Sequence, residues 1–428
     1  MIRQRRQHGL LGLRRPKFDS SLGQVGAFPL FVLFGLNLVD EFDRGAFWTL
    51  VPEIRDALNM SDATMVTIAT AANTLALLLS VPIGYAADRW NRVGITVLGA
   101  ALWGLGAVVT GMAYAVLPLA AARFIAGSGR IVNDAVHPSL LADYYPPQGL
   151  PHVNAIHRLA TEVGAILAGP LAAFLASLVG WRPTFLLVSV PTVLLTIFAA
   201  RLPHPPAGRP ADDMKRSRVP LARAFRMLAR IRTLSWIWVV SLLFGAAQIP
   251  LMVSLLSLFF DREHGLGLAE RGFINTLFAV VGMVALLLGR WWAKRSSAVE
   301  DPPRLMVQTA SFLTLFAAGV IALSTLRSLP LAVAATLGIA IGIGFMPSYF
   351  TLVALLTPQE VRSQAYAYAL FFAALGGLMS SYLISSVVAA HGVRTGVLVL
   401  GVVGLTAGAI GFTVPRFVAA DVDMARAG

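Results

Sequence analysis

Apolar runs of about twenty residues recur along the whole chain, separated by short polar or Pro- and Gly-containing breaks. A run of that length is what one helix needs to cross the hydrocarbon core of a bilayer. The pattern predicts twelve spans, at 27–50, 62–86, 93–115, 117–142, 152–178, 183–201, 233–260, 270–291, 305–326, 329–356, 361–389 and 394–415. Two features depart from it. The longest interruption, 202–232, is rich in Pro and Arg and divides six spans from six. Its second part, VPLARAFRMLARI, is amphipathic with basic residues and is expected to lie along the inner membrane surface. The other is LNLVDEFDRGAFW, residues 36–48, which puts Asp40, Glu41, Asp43 and Arg44 inside the first span.

Composition fits a chain that faces lipid. Of 428 residues 57% are hydrophobic and 13% charged, whereas a soluble domain carries roughly a quarter charged residues. The organisation read from this is a basic cytoplasmic tail (1–26), an N-terminal six-helix bundle (27–201), a cytoplasmic linker with an amphipathic helix (202–232), a C-terminal six-helix bundle (233–415) and a second cytoplasmic tail (416–428). The absence of cysteine excludes disulfides, thiolate metal sites and cysteine nucleophiles. The net charge of +13 reflects cytoplasmic loops that collect Lys and Arg, not a nucleic-acid surface. With both termini inside, 24 of the 34 Lys and Arg lie in inner segments, six lie in outer loops and four fall within spans. That split predicts an integral plasma (inner) membrane protein with cytoplasmic termini. The opening MIRQRRQHGLLGLRRPK lacks the uninterrupted apolar core of a signal peptide and reads as a basic tail against anionic headgroups.

The two halves echo each other. Pro147-Gln148 answers Pro358-Gln359 and Pro138-Ser139 answers Pro347-Ser348, while the outer turns GWRPT (180–184) and HGVRTG (391–396) correspond. The offset is 211 from Pro147 to Pro358 and 212 from Arg182 to Arg394, so a six-plus-six repeat is expected.

Between spans 2 and 3 stands GYAADRWNR, residues 84–92. A Gly at a helix end lets a neighbouring backbone approach closely. Asp88, Arg89 and Arg92 form a charge cluster able to pair across a bundle and to break when it opens. This loop resembles that of the major facilitator superfamily, matching its pattern at Gly84, Asp88, Arg89 and Arg92, with Asn91 where a Gly usually stands. In span 4, LAAARFIAGSGR resembles the family at Arg123, Gly127 and Gly129. In span 5, AILAGPLAAF matches an exporter pattern at Gly169 and Pro170 alone, which a Pro kink packed by small residues also explains. The resemblance covers the whole chain. It implies an all-α membrane protein whose two six-helix bundles surround a central cavity and rock between two states. Asn37-x-x-Asp40, Pro-Glu-Ile-Arg at 52–55 and the Gly-rich span 4 are similar to the branch containing Spinster-type lysolipid transporters. That branch usually reads Asn-x-x-Asp-Arg and carries Glu after the span 4 Gly-x-Gly. Here Arg44 comes three residues late, and Arg130 takes the place of the Glu.

A charge at the bilayer centre costs roughly 2.5–3.5 kcal/mol on insertion scales, so these groups must be paired, hydrated or useful. At about 100° per residue, Arg44 lies about 40° from Asp40 and Asp43 about 60° on the other side, with Glu41 at the edge of the same sector. Asp40–Arg44 is then a favourable i, i+4 pair. Span 4 offers a matching stripe of Arg123, Gly127, Arg130, Asp134 and His137, in which Arg130 can partner Asp40 or Glu41 and Asp134–His137 forms a second titratable pair. Three acids sharing the one base of span 1 would force a carboxyl toward neutrality. Asp40, Glu41 or Asp43 is therefore the expected proton carrier, with Arg44 and Arg130 as competing counter-ions. Arg158 and Glu162, at i, i+4 in span 5, are expected to pair at the cytoplasmic gate, and His157 reads as a packed histidine.

Spans 7–12 hold almost no ionisable groups away from their ends. Their cavity candidates are Gln248, Asn275, Tyr349, Gln364, Tyr366, Tyr368, Phe371, Phe372, Met379 and Tyr382, facing Asn37, Trp48, Arg123 and Arg130 of the N-terminal half. An aromatic and Met-lined wall opposite a charged one suits an amphipathic solute. The expected function is proton-coupled secondary transport of an amphipathic or hydrophobic solute, a lysolipid or drug-like molecule. The alternatives are uptake of a small organic anion clamped by Arg130 and Arg44, and a non-transporting receptor or accessory protein. With no P-loop, nucleophile elbow or HExxH and seven scattered histidines, no catalysis, metal or cofactor is expected. The expected partners are the lipid bilayer, the solute and protons, with no nucleic acid and a monomeric chain.

Overall fold

A computed structural model of the chain describes residues 25–60, 77, 79–203 and 219–427, and every element among them is helical. Span 1 (Phe28–Thr49), span 3 (Arg92–Gly111), span 5 (Leu150–Val179), span 6 (Trp181–Ala200), span 8 (Leu268–Arg295) and span 9 (Pro303–Thr325) follow the hydropathy pattern closely. Of span 2 the gate-end helix Ser80–Arg89 is seen, and most of its predicted length lies outside the described residues, as do the N-terminal tail through residue 24 and linker residues 204–218. Spans 3 and 5–12 are long and apolar enough to cross a membrane. Span 1 carries Asp40, Glu41 and Asp43 instead, all buried.

The repeat seen faintly in the sequence is built in detail. Span 4 breaks at Val136, between Val116–Ala135 and His137–Tyr144, two residues before Pro138. Span 10 breaks at Gly342–Phe345, between Leu329–Ile341 and Met346–Leu356, just before Pro347. Each Pro-Gln step opens a 3₁₀ turn, Pro147–Gly149 in one half and Gln359–Val361 in the other. Spans 11 and 12 run as one helix, Arg362–Thr413, broken at Gly392. Gly392 (φ 83°, ψ 167°) and Gly180 (φ 83°, ψ 166°) take the same conformation at corresponding turns of the two halves, a region that is essentially open to Gly alone. Two residues on, an Arg reaches back to orphan carbonyls at the end of a neighbouring helix. The Arg182 Nε donates to the Ala113 oxygen (3.2 Å), and the Arg394 Nη1 to those of Ser324 (3.2 Å) and Leu326 (2.9 Å). Each guanidinium also lies over an aromatic ring, Trp181 at 4.3 Å and Phe259 at 5.2 Å.

The linker and the C-terminus are docked against the second bundle. Helix Leu221–Arg230 buries Ala224 and Leu228 and points its arginines outward. Its Phe225 stacks on Trp238 (5.5 Å), which in turn contacts Tyr368 and Phe372. The segment expected as a tail is instead a helix, Pro415–Ala427, because Val414, Val418 and Val422 form an apolar stripe buried in the same cluster. Its Asp421 accepts the Thr233 backbone N–H (2.7 Å) and so caps the start of span 7, where a carboxylate also meets the positive end of the helix dipole.

Replacing either turn glycine with Ala should cost about 1–3 kcal/mol. Gly180→Ala and Gly392→Ala are each expected to lower the thermal midpoint of the detergent-solubilised protein. Gly272→Ala, which meets nothing within 4 Å, should leave it unchanged.

Candidate functional site

Four arginines from three spans meet the acids of the N-terminal bundle. Span 1 crosses span 5 closely enough that a β-carbon at Gly164 would stand 2.6 Å from the Leu38 oxygen. Asn37 cements the crossing by donating through Nδ2 to the His157 carbonyl (2.9 Å) and Thr161 Oγ1 (3.1 Å). Expected to bind substrate, Asn37 is instead buried and joins two helices.

The ion pairs differ from those the spacing suggested. Arg44 turns to Glu41 (Nε to Oε2, 3.1 Å) and not to Asp40. Asp40 is held from span 4, by Arg130 (3.4 Å) and by the Asn133 amide (2.9 Å). Asp43 accepts from Arg123 (3.1 Å), whose guanidinium also donates to Thr110 Oγ1 (2.8 Å) and lies 4.8 Å over Phe47. Each acid of span 1 therefore has its own cation, and the expectation of three acids sharing one base is corrected by the reach of span 4. Asp43 Oδ1 stays buried without a protein partner.

Nor do Arg158 and Glu162 pair. Arg158 bonds Asp134 on span 4 (2.6 Å) and covers the Phe350 ring of the second bundle (4.5 Å), which turns it away from Glu162. Asp134 is thereby taken from His137, whose Nδ1 faces the His157 Nε2 at 3.2 Å.

Between these pairs lies a small cleft that is partly open to solvent. Span 1 lines it with Asp40, Asp43, Arg44, Phe47 and Trp48, and span 4 with Arg123, Gly127 and Arg130. Trp103 of span 3, absent from the sequence expectations, completes the wall. Arg44 (side chain 42% exposed) and Arg130 (28%) present charge to the cleft, and Trp48 (46%) presents apolar surface one turn further along. The expected wall from spans 7–12 does not line it. Phe372 stacks on Trp238, and Phe371 packs beside Phe372. Tyr349 packs against Phe345 and Phe350 and reaches Ser241 (3.4 Å). Tyr366 is buried and donates to the Phe350 oxygen, while Asn275, Met379 and Tyr382 are exposed and Gln248 and Gln364 lie away from the cleft's lining. The aromatic residues of this half mostly satisfy one another.

A second charge cluster closes one end of the molecule, called here the gate face, where loops 87–92 and 357–361 lie. Asp88 accepts the first backbone N–H groups of span 11, from Ser363 (3.0 Å) and Gln364 (2.9 Å), while holding Arg92 (2.7 Å). Arg92 also donates to Ser363 Oγ (3.0 Å), to the Gln359 carbonyl and to Asp143 (2.5 Å), and Asp143 holds Arg362 of the second bundle (2.7 Å). Burial lifts the Asp88 carboxyl above its usual range, and Arg92 and the two N–H groups work against that rise. Only a glycine allows this approach, since a β-carbon at Gly84 would stand 2.6 Å from the Ala367 methyl and 2.8 Å from the Ser363 oxygen. Arg89 takes no part; it is exposed and bonds Tyr85 of its own helix (2.7 Å). Asp143 and Arg362 were missed in the sequence because the pairing joins residues 219 positions apart.

A twelve-span repeat closed at one end by charges is the architecture of a secondary transporter, and the family profile agrees. The Major Facilitator Superfamily profile matches residues 33–381, and the chain belongs to that family. Among curated relatives, the uncharacterised transporter YybO of Bacillus subtilis is 25% identical over 39% of this chain and 38% of its own. Spinster homolog 1 of Xenopus laevis is 27% identical over 42% of this chain and 35% of its own. The probable galactarate/D-glucarate transporter GarP of Escherichia coli K12 is 23% identical over 44% of each. The matched part thus spans less than half the length of each of these relatives. Among solved structures, the human organic anion transporter MFSD10 superposes with a TM-score of 0.73 at 16% identity, covering 90% of this chain and 99% of that one. The Escherichia coli transporter FucP in its outward conformation gives 0.71 at 15% identity (91% and 98% covered). A bacterial homolog of Spinster in an inward-facing, unoccupied conformation gives 0.61 at 20% identity (93% and 98% covered).

Removing one partner of a buried pair costs more than removing both, because it strands a charge. Asp43→Asn is expected to destabilise the solubilised protein by about 3–5 kcal/mol by leaving Arg123 uncompensated. Asp43→Asn with Arg123→Leu should recover most of that loss in chemical-unfolding measurements.

Proposed function

We propose that this protein is a proton-coupled transporter that moves an amphipathic solute with an anionic head across the inner membrane by alternating access. The observation that carries the reading is the cleft, where Arg44 and Arg130 present cations beside the aromatic faces of Phe47 and Trp48. A head carrying phosphate or carboxylate suits the guanidinium fork, and an acyl or aryl portion suits the tryptophan. The named functions of its relatives bracket that chemistry, from spinster proteins to transporters of organic anions and sugar acids. With the basic loops cytoplasmic, the gate face is the inner one and the conformer is outward-facing. Its greater likeness to FucP in the outward conformation than to the inward-facing Spinster homolog, despite lower identity, supports that assignment.

Small sugar acids are the second reading, favoured by the galactarate/D-glucarate relatives. Flux of tail-labelled lysophosphatidylglycerol and of D-glucarate in proteoliposomes with an imposed pH gradient separates the two. Gradient-driven movement of the lysolipid is expected, and Arg130→Gln should lower it roughly tenfold, about 1.4 kcal/mol. Movement of glucarate alone would favour the second reading. No gradient-driven flux of either would refute the coupled transporter.

A further inference from the structure

Ionisable groups in the core of the N-terminal bundle do not balance. Five carboxylates lie there, Asp40, Glu41, Asp43, Asp134 and Glu162, against four guanidiniums, Arg44, Arg123, Arg130 and Arg158. Each guanidinium is committed, to Glu41, Asp43, Asp40 and Asp134 respectively. Glu162 is the acid left over, and among the described residues no cation stands within ion-pair distance of it.

Its position is unusual as well. Glu162 sits on span 5 at the contact with span 8 of the second bundle. A β-carbon on Gly282 would stand 3.2 Å from the Glu162 Oε2 and 2.9 Å from the Ile343 methyl. The carboxyl group is thus pressed against backbone that only a glycine leaves free, across the seam along which the bundles must part. Facing it from span 1 are Glu41 and Arg44, and from its own helix Arg158. Arg158 is backed by Asp134 of span 4, with His137 and His157 beside it. Span 8 brings no ionisable group between Arg271 and Arg290.

We infer that Glu162 carries the coupled proton, an odd carboxyl lodged between spans 5 and 8 whose protonation closes the gate face. The inference rests on the proton-coupled reading above and names its titrating group. A carboxylate only partly exposed in the seam and without a cation of its own is penalised relative to the neutral acid. Hence protonated Glu162 favours the closed seam, and the carboxylate favours the parted seam, where it is more fully hydrated. In the gate-closed state an O–H bond forms at a Glu162 carboxylate oxygen, with the proton taken from a hydronium on the opposite face. When the gate opens that bond breaks, the proton leaves to water on the gate side, and the residue is restored. The freed carboxylate can borrow Arg158, one turn away, or Arg44, each of which already holds another acid.

The chain has no cysteine, so spin labels can be placed cleanly. Trp90→Cys and Met424→Cys mark the gate face of the two bundles at exposed positions (66% and 62%). Electron-electron distance measurements on this pair are expected to show mostly short distances at about pH 5.5 and mostly long ones at about pH 8.5. Glu162→Gln, a fixed neutral mimic, should stay short at both, and Glu162→Asp should keep the shift. A Glu162→Gln protein that shifts like the parent overturns the inference. A parent that does not shift at all overturns the proton-coupled reading beneath it.

Discussion

A carboxylate in a low-dielectric core is stable only beside a cation or a set of donors, and the first bundle is arranged around that requirement. Three acids on span 1 are met by one base from the same helix and two from span 4, Arg123 and Arg130. The pairs draw spans 1, 3 and 4 together through Thr110, Asn133 and the ring of Phe47. They also leave a cleft in which two of the arginines keep part of their surface free. Pairing and the proposed binding would thus use the same side chains, Arg44 and Arg130.

The two bundles are fastened at one end by a different device. Asp88 caps the first turn of span 11, so a side chain of one bundle satisfies backbone donors of the other. Asp143 then bridges Arg92 and Arg362 across the same seam. Further in, Ser80 reaches the Ala367 oxygen (3.4 Å) and Asn154 reaches Thr351 (3.4 Å). These contacts are polar, as the alternating access proposed above would require of a face that opens and recloses. The turns at Gly180 and Gly392 are held differently, by Arg182 and Arg394 within each bundle, so these arginines do not join the halves.

The bilayer made the fold legible in the sequence, because it dictates span length and leaves little choice of secondary structure. Even faint signals such as Pro147-Gln148 against Pro358-Gln359 marked real 3₁₀ turns. Of the expected stripe, Arg123, Gly127 and Arg130 line the cleft together, since one helix face is a matter of spacing, whereas Asp134 and His137, the latter beyond the break at Val136, turn to span 5. Pairings were not legible. Spacing paired Arg44 with Asp40, yet Arg130 and Asn133 of span 4 claim Asp40 and Arg44 turns to Glu41. Spacing paired Arg158 with Glu162, yet Asp134 and the Phe350 ring on other helices claim it. Asn133 and Thr110 carried no signal, being neutral donors whose role exists only after the helices pack. The aromatic wall expected of spans 7–12 failed for the same reason, since Phe372, Trp238 and Tyr368 had the docked Phe225 to pack against.

Charge imbalance in the core is the claim on which the functional account turns, and infrared difference spectroscopy between acid and alkaline membranes reads it directly. The account predicts a single protonated-carboxyl C=O band from the core that titrates and is absent in Glu162→Gln. A band that survives in Glu162→Gln, or that disappears instead in Asp40→Asn, would contradict it.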